Sequence, residues 1–295
     1  MSSNSNISAA VVGAGLAHTL GGLAQLTDGR GMPANPMPLD ATELAAALPG
    51  VSLRRIPRYA RMALLAATCA LNDAGWRQES ALHDTALVIG TAYSGAQMSM
   101  DFMDSIIDDG PRLSSPTAFS HAVNNMGTGL LSLLLHVHGP CFTVSQFELS
   151  FAGAVYAATV LLHAKRARRV LVGAVDERDE RFTRCCPQIA QTGIAQTEGA
   201  AFLCLEPPDP VRPSLSVRWE HNAAHPVFAS GSVRDGEDSF LRHEHLYGYS
   251  PLSQALDALL ALHAVRHGTT ARVDCLCTAT GSGRAAVLEI RGTQP

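Results

Sequence analysis

Short apolar runs alternate along this chain with longer segments of helical character, and this alternation limits the folds available to it. The runs at 86–90 and 199–206 are unbroken, as is typical of strands buried on both faces. The sequence predicts strands at 7–12, 86–90, 169–173, 199–206, near 214–220, 272–278 and 285–291. Helices are predicted near 41–48 and at 57–74, 97–107, 125–135 and 250–267. Strands separated by helices of this length predict an α/β fold with mainly parallel sheets.

The chain divides at a proline-rich segment, Pro207-Pro208-Asp209-Pro210. Residues 1–206 form a longer N-terminal half, and residues 207–295 form a shortened C-terminal half that includes a loop-rich stretch at 221–247. We expect the two halves to fold together as one compact unit.

The composition favours extensive burial. Charged residues make up 16% of the 295 residues and hydrophobic residues 46%, whereas a typical globular protein has about 25% charged residues. Such a composition indicates a large core and is compatible with a subunit interface. The formal net charge of −4 gives no electrostatic reason to expect binding to nucleic acid or to an anionic membrane.

Several features predict a cytoplasmic location. The N-terminal residues lack the basic and apolar regions of a signal peptide, and no run of 18 apolar residues could form a transmembrane helix. Seven cysteines, an odd number without a secretory context, predict free thiols in a reducing compartment.

The stretch from Gly139 to Ala164 indicates a turn, a short buried strand, and a tight bend into an apolar helix. Such a bend can hold a reactive side chain at a helix N-terminus, where backbone N–H groups and the helix dipole stabilise negative charge. Glu148 occupies the bend.

This bend resembles the nucleophile turn of the β-ketoacyl synthases, G-P-x-x-T-V-x-T-A-C-S-S, with Glu148 at the cysteine position. Other matches follow in the family's order along nearly the whole chain. They are Gly13-Ala14-Gly15, Ala70-Leu71-Asn72-Asp73-Ala74-Gly75, Gly173-Ala174-Val175-Asp176-Glu177, Glu198-Gly199-Ala200-Ala201, Tyr247-Gly248-Tyr249-Ser250-Pro251 and Thr278-Ala279-Thr280-Gly281-Ser282-Gly283.

The departures from the family pattern all remove catalytic groups. Glu148 replaces the cysteine, Tyr249 stands at the second histidine position, and the H-G-T-G-T motif has no counterpart. The usual lysine is absent, and Ser282 replaces the gating phenylalanine. The resemblance therefore implies vestigial positions at Glu148 and Tyr249 and no independent condensing activity.

A ketosynthase-like chain without these groups resembles a chain length factor, most closely those of aryl polyene pigment biosynthesis. This resemblance implies a thiolase-like layered fold of five layers, made of two pseudo-related βαβαβ halves with the C-terminal half abridged. It also implies a heterodimer with a ketosynthase subunit, within a β-ketoacyl-ACP synthase complex that brings the acyl carrier protein. The subunit would shape the tunnel that limits the length of the acyl chain.

Position along the family pattern suggests which residues shape that tunnel or its interface. Met98, Phe102 and Ser105 recur at helical spacing and can line one apolar stripe, although ordinary core packing explains each of them equally well. Phe119 is a second candidate wall residue, and Phe147 a candidate for insertion across the interface.

Three interpretations of Glu148 stay open. Its carboxylate can plug the site and reach across the interface, retain a proton-transfer role, or face the surface if the local match is displaced by one residue. An unpaired buried carboxylate would cost several kcal/mol, so we expect it to be neutralised or hydrogen-bonded.

Two other functions are compatible with the sequence. The chain can be a divergent acyl-thioester transferase or hydrolase that uses Glu148 with His121 or Tyr249. It can also be a homodimeric scaffold that binds substrate without a ketosynthase partner.

The sequence predicts no cofactor and no metal. Gly13-x-Gly15 lacks the third glycine and the acidic residue of a dinucleotide site. The histidines in question lie in a loop-rich region without zinc-enzyme spacing, and the cysteine pairs lack tetrahedral-site spacing. These residues are His221, His225, His243 and His245, with Cys185-Cys186 and Cys275-x-Cys277.

Overall fold

The computed structural model describes residues 7–29, 31, 39, 56–76, 82–94, 96–178, 196–221, 229–235, 240–279 and 282–293. Several of the features considered above lie outside the described residues. They are the predicted helix near 41–48, Cys185, Cys186, His225, and Thr280 and Gly281 of the last family match.

Strands and helices alternate through most of the described chain. In order they are β1 (Ser8–His18), α1 (Leu23–Thr27), α2 (Arg58–Asp73), β2 (Thr85–Gly90), α3 (Ala96–Asp109), α4 (Pro116–Ala122), α5 (Met126–Leu134), β3 (Cys141–Val144), α6 (Ser150–His163), β4 (Arg169–Asp176), β5 (Gly199–Glu206), β6 (Ser214–His221), β7 (Ala229–Arg234), α7 (Glu244–Tyr247), α8 (Ser253–Arg266), β8 (Arg272–Thr278) and β9 (Arg284–Arg291).

The described strands form a nine-stranded mixed sheet in the order β3-β2-β4-β5-β1-β6-β9-β8-β7. Among them, only β2 makes parallel pairs, with β3 and with β4, and the other pairs are antiparallel. The prediction of mainly parallel sheets is therefore wrong. One reason is local, because β8 and β9 are joined by a short connection that reverses the chain directly.

Two apolar clusters divide the molecule into layers. Helices α2 and α5 cover one face of the N-terminal strands, with Leu87, Leu131 and Phe202 in the shared cluster. Helices α6 and α8 lie between the N-terminal and C-terminal strands, and their cluster includes Phe151 and Leu259. The described residues thus form four layers, in the order helices, strands, helices, strands, rather than the five layers that the resemblance implies.

The two halves share a common pattern. In the N-terminal half, α6 precedes β4, which pairs antiparallel with β5, and β5 pairs with β1. In the C-terminal half, α8 precedes β8, which pairs antiparallel with β9, and β9 pairs with β6. The fold is therefore thiolase-like, as the resemblance implies. The C-terminal half departs from a full repeat at β7, which pairs antiparallel with β8, whereas β2 pairs parallel with β4.

The outer face of the C-terminal strands carries charged side chains that pair with one another. Arg272 contacts Asp274 at 2.7 Å and Glu289 at 2.8 Å. Glu289 also contacts Arg291 at 2.6 Å. These ion pairs are typical of a face in water, and within the described ranges no helix packs on that face.

Strand β1 continues to His18, beyond the predicted end at Val12. Gly13 and Gly15, which follow the predicted strand end, lie within the strand and allow close packing. A Cβ atom on Gly13 would lie 2.6 Å from the Ala70 carbonyl oxygen, so glycine lets α2 approach the strand. The predicted end at Val12 is therefore wrong, because the contact that needs these glycines is distant in sequence.

Two further predictions need correction. The stretch 221–247 contains the strand β7 and the short helix α7, rather than loop alone. Strand β3 is half-buried rather than buried, because it lies at the edge of the sheet and pairs only with β2 among the described strands. None of the helices in the described ranges is long and apolar enough to cross a lipid bilayer.

Two buried ionisable groups at the ends of central strands favour their neutral forms. Burial disfavours the imidazolium of His18 and the carboxylate of Asp176. His18, at the end of β1, is fully buried, and burial lowers its pKa from 6.5 to about 3. Its Nδ1 accepts a hydrogen bond from the Leu20 N–H, while Nε2 is without a partner. Asp176, at the end of β4, has its pKa raised by burial from 3.8 to about 7, in spite of the hydrogen bonds that favour the carboxylate.

These two groups predict opposite pH dependences of stability. Burial lowers the pKa of His18 in the native state, so the stability that its neutral form provides is lost as pH falls from 6.5 toward 3. The native state retains the proton of Asp176, so its contribution is lost as pH rises from 3.8 toward 7. Each effect approaches about 1.4 kcal/mol per pH unit, and the two oppose each other between about pH 4 and pH 6.5.

Urea unfolding across this window tests the assignment. Relative to the wild type, Asp176→Asn should gain stability as pH rises, because only the His18 term remains. His18→Gln should lose stability over the same range, because only the Asp176 term remains. The same pH dependence in both variants as in the wild type would contradict the assignment.

A turn, a cavity and an apolar surface

The turn between β3 and α6 has the predicted strand–bend–helix form. Strand β3 ends at Val144, a 3-10 turn spans Phe147–Leu149, and α6 begins at Ser150. The backbone of Phe147 has a φ angle of 49°, in the left-handed region that bulky residues rarely adopt. Strain of this kind persists only when surrounding contacts impose it.

Ser150 supplies those contacts. Its hydroxyl oxygen accepts a hydrogen bond from the Gln146 N–H at 2.9 Å. The same oxygen lies 2.6 Å from the Phe147 carbonyl oxygen and 2.9 Å from the Thr91 carbonyl oxygen, which share its proton. One buried hydroxyl therefore joins both sides of the turn to the segment that follows β2.

Close approach of the backbone brings the turn onto β2. A Cβ atom on Gly90 would lie 2.6 Å from the Ser150 carbonyl oxygen. Only glycine therefore permits the first residue of α6 to pack directly on the end of this strand.

Asp176 fixes the segment that receives Ser150. Its Oδ1 accepts hydrogen bonds from the Thr91 hydroxyl at 2.9 Å and from the N–H groups of Ala92 and Tyr93 at 3.0 Å. The ends of β4 and β2 and the turn after β3 are thus connected through hydrogen bonds.

A cavity of about 630 Å³ opens beside the turn. One wall is the turn itself, another contains Ala279, Ser282 and Arg284, and the Trp219 side chain from β6 also lines the cavity. The lining residues in the described part of the chain are Gln146, Phe147, Glu148, Leu149, Trp219, Ala279, Ser282 and Arg284. Most of the lining is apolar.

Glu148 is half-buried on the wall of this cavity. Its carbonyl oxygen accepts a hydrogen bond from the thiol of Cys277, on β8, at 3.4 Å. Burial, with the neighbouring Glu148 carboxylate, raises the pKa of Cys277 well above its usual value. The Cys277 thiol is thus buried and protonated, so it is not a nucleophile.

The histidine and tyrosine considered as partners of Glu148 do not line the cavity in the described structure. His121 lies at the end of α4. Tyr249 is buried, and its carbonyl oxygen accepts a hydrogen bond from the Thr197 N–H at 2.9 Å. The structure therefore gives no specific support to a transferase or hydrolase site composed of these three residues.

The tunnel candidates on α3 and α4 lie together, apart from the cavity. Met98 packs against the apolar cluster under α2. The Phe102 and Phe119 rings are 5.4 Å apart between centroids. The Ser105 hydroxyl donates to the Phe102 carbonyl oxygen at 2.7 Å, so it is bonded to its own helix. The candidate tunnel and interface residues thus lie in two groups, one on α3 and α4 and the other at Phe147 and Glu148.

A partly exposed apolar surface connects these two groups. Phe147 is 64% exposed and Phe119 57% exposed, and Val123 is also exposed. Phe147 contacts Tyr93 edge to face, with ring centroids 6.4 Å apart. Ser94 follows Tyr93 in the chain, and its hydroxyl lies 3.5 Å from the carbonyl oxygen of Asn124, the residue after Val123. We refer to Phe119, Val123 and Phe147 as the apolar surface.

The described residues contain no group of three or more His, Cys, Asp or Glu side chains that could hold a metal ion. His243, one of the histidines considered as metal ligands, takes part in a hydrogen-bond network. Its Nδ1 lies 2.9 Å from Oδ1 of the buried Asp257, which also accepts from the hydroxyl groups of Ser230 and Tyr247. This network fixes the segment before α8 to the helix itself.

Comparisons with known proteins agree with this fold. The family described as "Beta-ketoacyl synthase, N-terminal domain" matches residues 28–207. Because this match covers more than half of the chain, the chain belongs to the β-ketoacyl synthase family. Residues of the chain are also 24% identical, over 183 residues, to 3-oxoacyl-[acyl-carrier-protein] synthase I, chloroplastic, of Hordeum vulgare. That match covers 53% of the chain and only 40% of the barley protein.

Solved structures share the fold at low sequence identity. The ishigamide ketosynthase/chain length factor superposes with a TM-score of 0.74 at 17% identity, covering 97% of this chain and all of the other (100%). A ketosynthase (ApeO) in complex with its chain length factor (ApeC) from Xenorhabdus doucetiae gives a TM-score of 0.62 at 17% identity, with 95% and 98% covered. The chain therefore has the thiolase-like ketosynthase fold.

Sequence reasoning missed three residues that define the site. Ser150 supports the turn, while Trp219 and Arg284 line the cavity from distant strands. A signal for Ser150 was present, since it stands at the second serine of the nucleophile-turn motif. For Trp219 and Arg284 no local signal exists, because only the pairing of β6 with β9 brings them beside the turn.

Replacing Ser150 by alanine tests whether its hydroxyl holds the turn. Ser150→Ala should lower the free energy of unfolding by about 1–3 kcal/mol, because the buried hydroxyl that bonds the Gln146 N–H and the Phe147 and Thr91 carbonyl oxygens is removed. Amide hydrogen exchange should also increase across residues 146–149. A matched control is Ser120→Ala, whose exposed hydroxyl donates to the Thr117 carbonyl oxygen of its own helix. Equal effects of the two substitutions would contradict the assigned role.

Proposed function

We propose that this chain is a non-catalytic chain length factor that acts in the cytoplasm beside a catalytic ketosynthase subunit. The observation that carries this proposal is Glu148 at the turn where the family places its cysteine nucleophile. Condensation needs a thiolate that can accept an acyl group, and a carboxylate at this position cannot form that thioester. Tyr249 at the second histidine position removes a further catalytic group.

The remaining thiols near the turn do not restore the chemistry. Cys277 is fully buried on β8, and its pKa is raised well above the usual value. Its neighbour on the same strand, Cys275, is buried in the same way, with a raised pKa. Neither can provide an accessible thiolate at neutral pH.

The edge of the sheet supports a subunit interface. Strand β3 lies at the end of the strand order and pairs with β2 on one side only, within the described strands. An edge strand with free N–H and C=O groups is a ready site for pairing with another chain. Apolar side chains are also exposed to water in this half of the molecule. They are those of the apolar surface and Leu133 on α5.

The fold comparisons and the resemblance support the choice of a ketosynthase as partner. The two solved structures named above contain a ketosynthase and a chain length factor according to their descriptions. Another similar structure contains an acyl-carrier protein in complex with its ketosynthase. We infer that this chain forms a heterodimer with a ketosynthase and meets the acyl carrier protein through that complex. The shortened C-terminal half favours aryl polyene biosynthesis as the pathway.

The tunnel would then be completed by the partner. Met98, Phe102, Ser105 and Phe119 belong to two adjoining helices, and in the described structure of this chain alone they do not border the cavity. In the proposed complex, α3 and α4 would form one wall of the acyl tunnel, and Phe147 with Glu148 would close the end near the turn. Residues 1–206 and 207–295 would act as one unit in this role.

Co-expression with a ketosynthase tests the assembly. Size-exclusion chromatography and native mass spectrometry should show a one-to-one complex. Phe119→Ser and Phe147→Gly should each weaken the complex by about tenfold or more, as expected for a buried aromatic residue at an interface. Phe147→Gly should keep or increase the stability of the chain alone, because glycine tolerates the positive φ angle.

Val211→Ser provides the matched control for assembly. Val211 is 74% exposed, but it lies in the connection between β5 and β6, away from the apolar surface. The control should leave the complex intact. Failure to form any complex with a ketosynthase, or equal losses in all three variants, would overturn the proposal.

Product analysis of the reconstituted complex tests the tunnel wall. Met98→Trp should shorten the acyl products, because a larger side chain fills the space that the chain end would occupy. Phe102→Ala should lengthen them, since it removes a ring from the wall. Both variants should still assemble with the ketosynthase. Unchanged product lengths in both would remove α3 from the tunnel.

A further inference from the structure

The cavity beside the turn has an asymmetric lining. Its volume of about 630 Å³ falls within the range of small-molecule sites, about 300–1,000 Å³. Phe147, Leu149 and Trp219 provide apolar and aromatic walls. Trp219 is held in place by Tyr156 of α6, with ring centroids 6.4 Å apart in an edge-to-face contact.

One cation stands on the wall opposite the turn. Arg284 is the first residue of β9, and its N–H donates to the Ser282 hydroxyl at 3.2 Å. Its guanidinium makes no ion pair with the carboxylates in the described ranges of the chain, unlike Arg218, Arg272 and Arg291 on the outer face. A guanidinium at the rim of an apolar cavity can bind a carboxylate with charge-assisted hydrogen bonds.

Glu148 restricts the orientation of such a ligand. Its side chain lies on the wall formed by the turn, whereas Arg284 belongs to the wall that leads into β9. A ligand with one negative charge can place that charge at Arg284 and its apolar body along Trp219 and Leu149. A second negative charge at the far end would be brought toward the Glu148 carboxylate.

We propose that this cavity binds an organic monoanion, a single carboxylate on an apolar body, with Arg284 as the anion partner and Trp219 as the apolar wall. The ligand would be held by this chain itself, independently of any tunnel shared with a ketosynthase. The site thus has a binding role where the family has its reacting thiol.

Intrinsic fluorescence provides a direct measurement, because the chain contains only two tryptophans. Trp76 is buried and packs under the Arg169 guanidinium, outside the cavity. In the full chain carrying Trp76→Phe, Trp219 is the only tryptophan, so its emission can be excited selectively. Titration with octanoate should give a saturable change in its emission, whereas octan-1-ol and octanedioate should bind about tenfold more weakly or worse.

Two arginine variants identify the anion partner. Arg284→Gln should weaken octanoate binding by about tenfold or more, since the charged partner is removed. Arg218→Gln, on the outer face of β6 beside Trp219 in sequence, should leave binding unchanged. With tryptophan at position 76 retained, octanoate should raise the thermal unfolding temperature of the chain but not that of Arg284→Gln.

Three results would overturn the proposal: no saturable response to octanoate in either measurement, equal binding of octan-1-ol, or full binding by Arg284→Gln. All measurements use the chain without a ketosynthase. Loss of octanoate binding would therefore leave the proposed heterodimer untouched, and failure of the heterodimer would leave the ligand site untouched.

Discussion

The hydroxyl of Ser150 is the contact on which the geometry of the site depends. It joins the two sides of the turn after β3 to the Thr91 carbonyl oxygen after β2, and Asp176 in turn fixes that segment from the end of β4. Three parallel-paired strand ends are thus tied together at one edge. This network imposes the strained backbone of Phe147, and so it presents an aromatic ring to solvent and a carboxylate to the cavity.

Most secondary structure could be predicted because burial on both faces leaves an unbroken apolar run in the sequence. Strand β5 has the predicted bounds, and α8 is within a few residues of its predicted ones. Strand direction could not be predicted, since an apolar run is the same in parallel and antiparallel pairs. The extension of β1 through Gly13 could not be predicted either, because the contact that requires glycine is with the backbone of α2, which is distant in sequence.

The site was predictable only where it is local. The turn around Glu148 lies within a dozen residues, so its strand–bend–helix form could be read from the sequence. The cavity is composed by tertiary pairing, which brings Trp219 and Arg284 from β6 and β9 to the same turn. The grouping of Phe102 with Phe119, away from the cavity, likewise follows from the packing of α3 on α4.

The departures from the family form a consistent physical pattern. The C-terminal strands lack an outer helical layer in the described ranges, and their ion-paired face is suited to water. The N-terminal edge differs, because exposed aromatic side chains lie near its edge strand β3. Apolar side chains are thus exposed at the end where the proposed partner would bind, and paired charges face water at the other. An exposed apolar patch of this kind marks a surface that another chain can cover, which is the role that the proposed heterodimer gives it.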